Sequence, residues 1–94
     1  MQTESSREVI RDFVKSSLVK KQDHLDIRDD DNIIVKGILD SLGIIKVINF
    51  LEDRFRLVIR DEDVIPDNFE TIEALSSFVA RSLRQQIEKG EPAK

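Results

Sequence analysis

The chain has 94 residues, no cysteine, a formal net charge of −4, and five phenylalanines as its only aromatic residues. That length suits one domain with one small core, and the missing cysteines exclude disulfides and thiolate metal sites. The acidic balance and scarce stacking platforms argue against DNA or RNA as the main partner, and no apolar run nears the ~20 residues of a membrane span.

The first residues, from Met1 to Glu8, lack the basic-then-apolar pattern of a signal peptide, so a soluble, cytoplasmic protein is expected. An acidic domain of this kind is suited to meet basic patches on other proteins. One domain is expected over residues 1–94, folded over about 6–89, with 90–94 as a frayed tail.

Ser5 or Ser6 suits the cap of a first helix, with Glu8 close enough to assist. Val9, Ile10, Phe13, Val14 and Leu18 recur at helical spacing, with Arg7, Arg11, Asp12 and Lys15 on the other face. This predicts a helix over about 6–20, ending at the Lys20-Lys21 pair. Residues 22–40 show no sustained period. The like charges of Asp29, Asp30 and Asp31 predict an extended, solvated loop, with Ile33, Ile34, Ile38 and Leu39 lying against the bundle. The loop is long for a compact domain, which points to function.

A second helix is predicted over about 41–56. At about 100° per residue, Ile44, Val47, Ile48, Leu51 and Phe55 share one stripe, the core face. Leu42, Ile45 and Asn49 fall away from it, beside Lys46 and Asp53, and the two apolar ones, Leu42 and Ile45, would form a small contact patch for a visiting protein. The alternative is that the long loop folds over and buries them. A short third helix is predicted over 60–64, stopped by Pro66, with Asp67-Asn68 as a turn. Thr71 then caps a last helix, whose stripe is Ile72, Leu75, Val79, Leu83 and Ile87, with Phe78 at its edge. Gly90 and Pro92 end it. The fold class is all-α, a bundle of three main helices and one short helix. No extended heptad seam is evident, so a monomer is expected.

The stretch that organises the chain is Gly37-Ile38-Leu39-Asp40-Ser41-Leu42-Gly43. By position, Ser41 reads as the cap of the second helix. The same place has a second use, because a helix start carries partial positive charge and free N–H donors, which favour an attached phosphodiester. Gly37 and Gly43 would leave the hydroxyl open to an enzyme. Gly43 costs the helix roughly 1 kcal/mol against alanine, so something besides helix stability favours a small residue there.

Residues 37–55, GILDSLGIIKVINFLEDRF, resemble the signature of acyl carrier and peptidyl carrier proteins. Asp40-Ser41-Leu42 opens the second helix, and Glu52-Asp53-Arg54-Phe55 closes it. Val58-Ile59, the acidic run Asp61-Glu62-Asp63, and Thr71-Ile72 are similar as well, so the resemblance covers about 33–83. It implies an acyl-carrier-type four-helix bundle with a long loop between the first two helices. It also implies covalent 4′-phosphopantetheine on Ser41, added from coenzyme A by a phosphopantetheinyl transferase. The thiol of the arm would carry acyl or aminoacyl groups as thioesters, loaded by a ligase and passed to downstream transferases of a biosynthetic pathway. The carrier itself would be no enzyme. Asp40 would orient the loop or meet the transferase, and Leu42, Ile45 and Lys46 would lie on the partner-binding face.

Two departures matter. Gly43 stands where the family commonly has an acid, and Lys46 reverses the sign at another such place, with Arg54 and Arg56 further along. This thinned acidic surface suits a specialised carrier better than a housekeeping one in fatty-acid synthesis. The expected last helix, to about Lys89, is also longer than the family needs and reads as a solvated extension, the alternative being an extra contact surface.

Other classes fit poorly. A hydrolase would need a base for Ser41, and the single histidine, His24, falls in the first loop with no nucleophile elbow in the chain. Neither acidic run has the alternating ligands of a calcium loop, so no metal site is expected; weak Mg²⁺ binding that relieves their repulsion would raise the melting temperature modestly. The remaining alternative is an unmodified helical protein-interaction domain that keeps the same bundle.

Overall fold

The computed structural model describes residues 6–18 and 27–88. Four α-helices follow in order: α1 (Ser6–Phe13), α2 (Ser41–Phe55), α3 (Pro66–Phe69) and α4 (Ile72–Glu88), with no strand among the described residues. α1 runs on into a π-helical turn, Val14–Leu18, and a 3₁₀ turn, Asp61–Asp63, precedes α3. The result is a small helical bundle in which α1 and α3 lie against α4 and α2 closes the remaining side. No described helix is long and apolar enough to cross a membrane.

The core follows the helical spacing closely. Ile10 and Val14 from α1 and its π turn meet Val47 and Leu51 from α2 and Ile72, Leu75 and Val79 from α4, all fully buried. Phe78, expected at the edge of the last stripe, is buried too, with its ring 6.0 Å from that of Phe69. Thr71 caps α4 as expected, its Oγ1 accepting from the N–H of Ala74 at 2.8 Å. Val19 to Asp26, which include Lys20, Lys21 and His24, lie outside the described residues, as do Gly90, Pro92 and the side chain of Ile87.

Residues 27–40 of the long loop are more ordered than a solvated run of aspartates. Asp29 is gripped by Arg11, whose Nε and Nη2 donate to its two oxygens at 2.8 Å each. Arg7 adds a contact at 3.6 Å, and the Asp29 carbonyl accepts from the N–H of Glu73 at the start of α4. One acid thus ties the loop to two helices. Asp31 turns back on the N–H of Arg28 and reaches Lys36 at 4.0 Å. Asp29 and Asp31 of this run thus each have a basic side chain beside them.

A single helical turn follows in the loop. Asn32 Oδ1 accepts from the N–H groups of Ile34 and Val35, which opens the turn. Gly37, at φ 77°, closes it: its N–H reaches the Ile34 carbonyl, and that of Ile38 reaches the Ile33 carbonyl. These paired bonds are the Schellman arrangement, and its left-handed position favours glycine. Ile33 and Leu39 are thereby buried, while Ile34 and Ile38 pack at the edge, as the apolar pattern predicted.

Two expectations after α2 need correction. Pro66 does not end a helix there. It occupies the first turn of α3, where its missing N–H costs nothing, so Asp67 and Asn68 are helical. The reason for this second helix is Phe69, 1% exposed, which the short element swings into the core. The end of α4 is also no mere solvated extension. Gln86 Nε2 donates to the Arg56 carbonyl and Gln86 Oε1 accepts from the N–H of Val58, both at 3.3 Å. The extra turns brace the link that leaves α2.

Candidate attachment site and docking face

The start of α2 is set by Asp40, not by Ser41. Asp40 has extended backbone angles, and its Oδ1 accepts from the N–H of Gly43 at 2.8 Å. Its carbonyl accepts from the N–H of Ile44, the first bond of the helix ladder. A carboxylate outdoes a hydroxyl here because it meets both the free N–H and the positive helix end with a full charge. Ser41 is therefore the first helical residue, exposed, and the capping bond is not its own. The capping role that position suggested for Ser41 belongs to its neighbour.

Gly43 also differs from expectation. It does not open the serine to solvent; it is buried. A Cβ built there would lie 3.2 Å from both Asp40 Oδ1 and Leu39 Cδ1, and 3.6 Å from Leu18 Cδ2. Glycine lets the capping carboxylate, the loop and the π turn close on the helix together. Gly37, by contrast, has open space around it, as expected.

The side chains of Asp40, Ser41, Leu42, Ile45 and Lys46 are all exposed on the first turns of α2. Leu42 is 61% and Ile45 55% exposed, so the described part of the loop, residues 27–40, does not bury them. Asn49 and Asp53 continue the same outer face. Beside it runs an open groove of about 680 Å³ that the helical wheel did not foretell, lined by Phe13, Ser17, Lys46, Asn49, Phe50 and Asp53. Its floor is the stacked pair Phe13–Phe50, with ring centroids 4.1 Å apart. Phe50 is half-buried between the core stripe and the outer face, so a helical period assigns it to neither.

No group of three or more potential metal ligands comes together among the described residues. Among the described residues, the shifted groups are Arg11 and Asp29, which join α1 to the loop. The Arg11 hydrogen bonds hold the Asp29 carboxyl below its ordinary 3.8, against an opposing push from burial, and Asp29 in turn raises Arg11. This is a structural clamp and has no reacting partner beside it. No protein-family model matches the chain, and no curated protein matches it.

Proposed function

We propose that the protein is a discrete carrier of the acyl-carrier and peptidyl-carrier type, in which the Ser41 hydroxyl is the attachment point for 4′-phosphopantetheine. The observation that carries this reading is the division of labour at the start of α2. Asp40 takes the cap, which leaves the exposed Ser41 oxygen for chemistry at the positive end of the helix. When bound, the arm supplies a thiol that holds an acyl or aminoacyl group as a thioester.

The chain's own residues have four tasks in this reading. Ser41 provides the oxygen that a phosphopantetheinyl transferase joins to the pantetheine-side phosphorus of coenzyme A, breaking the diphosphate bond, releasing adenosine 3′,5′-bisphosphate and giving up the hydroxyl proton. Asp40 keeps the serine at the first helical position, and the helix end favours the negative charge of the resulting phosphodiester. Gly43 allows that junction to pack. Leu42 and Ile45, apolar and exposed, lie where the loading ligase and later transferases would touch the carrier. The four-helix arrangement with its long first loop is then of the acyl-carrier type, and catalysis belongs to the partners.

The test is an intact mass after incubation of the folded protein with coenzyme A, Mg²⁺ and a broad-specificity phosphopantetheinyl transferase. The expected result is a gain of one phosphopantetheine in the wild type and none in Ser41→Ala, with unchanged melting. No gain by the folded wild type would leave an unmodified helical interaction domain as the better description.

A further inference from the structure

We infer that the transferase that modifies Ser41 meets α2 with an apolar recess edged by a carboxylate, and not with a basic face. The inference rests on the carrier reading above and adds the chemistry of the partner. It starts from the charges that the docking face presents. From Ser41 to Phe50, ten residues, Lys46 is the only charged side chain. It is exposed, one residue beyond exposed Ile45 and four beyond exposed Leu42. Residues four apart are neighbours on a helix surface, so the ammonium group borders the apolar pair.

The nearby acids do not cancel it. The Asp40 carboxylate lies six residues from Lys46 and is turned to the N–H of Gly43, where the positive helix end offsets part of its charge. Glu52, half-buried, is turned to the N–H of Ile59 at 3.1 Å. Asp53 is the only exposed acid of α2 and lies seven residues from Lys46, roughly 10 Å along the axis and about a Debye length away at physiological salt. Between Asp40 and Glu52 the docking face is therefore apolar but for the one positive charge of Lys46, on a chain whose net charge is −4. A basic partner face would be drawn to the protein as a whole and repelled at this spot. A carboxylate facing Lys46 would fix the register of the apolar contact and speed the encounter.

The experiment uses the full chain, coenzyme A and the phosphopantetheinyl transferase of the same organism, and reads kcat/KM for modification of Ser41. Lys46→Glu is expected to lower kcat/KM by about tenfold, mostly through KM, and Lys46→Met by only a few-fold. The gap between wild type and Lys46→Met should close as salt is added. Unchanged melting of both variants separates this from a folding defect, since Lys46 is exposed. A Lys46→Glu chain modified as fast as wild type, or faster, would overturn the inference while leaving the carrier reading intact. A wild-type chain that the enzyme does not modify would defeat both.

Discussion

The Cβ that Gly43 lacks would press on a capping oxygen and a leucine methyl, each at 3.2 Å, and approach a second leucine at 3.6 Å. Alanine there gains about 1 kcal/mol of helix propensity, which crowding of the cap would largely cancel. A branched side chain has no such balance. Gly43→Val is expected to destabilise the fold by about 1–3 kcal/mol through overpacking, read by chemical denaturation. A second residue-scale test concerns Asp29, whose side chain is 21% exposed and bound in a fork by Arg11. Asp29→Asn should cost about 1–2 kcal/mol at neutral pH. The Asp29 carboxyl is depressed below 3.8 chiefly by its hydrogen bonds from Arg11. Its contribution is therefore complete above that value and is lost as pH falls through the lower folded value. The stability gap between wild type and Asp29→Asn should be constant above about pH 5 and shrink below 3.8. A gap that widens in acid would contradict this assignment.

At the scale of elements, α2 was the most legible part of the molecule. Its inward stripe is buried or half-buried, and its outward residues Leu42, Ile45, Lys46, Asn49 and Asp53 are exposed, as a helical period requires. What the sequence concealed was long-range. Arg11 and Asp29 are 18 residues apart, and Gln86 is 30 from Arg56. No local period reports such pairs, so Arg7 and Arg11 read as solvent-facing and the last turns of α4 as an extension. Phe69 escaped notice for a related reason: one aromatic between a proline turn and a cap has no stripe to belong to. The brace from α4 has its own test. Gln86→Ala should cost about 0.5–1 kcal/mol and speed hydrogen exchange at the Val58 amide, leaving the Gly43 amide unaffected. Equal effects at both amides would show global loosening and not a local brace.

For the molecule as a whole, the helices divide two tasks. α1 with its π turn, α3 and α4 supply half of the buried cluster and hold the loop by side-chain and main-chain bonds. α2 gives its inner stripe to that core and offers its first turns to solvent, with a serine spared from capping at the tip. The carrier function proposed above turns on the chemistry of a single oxygen. Trypsin can isolate that oxygen, because cleavage after Lys36 and Lys46 releases residues 37–46, in which Ser41 is the only hydroxyl-bearing side chain. The protein would be incubated, still folded, with coenzyme A and a phosphopantetheinyl transferase, then digested and fragmented in a mass spectrometer. The account predicts one phosphopantetheine on this peptide, placed on Ser41 by the fragment series. The same peptide recovered only in its unmodified mass, from protein shown to be folded beside a control carrier that was modified, would contradict it.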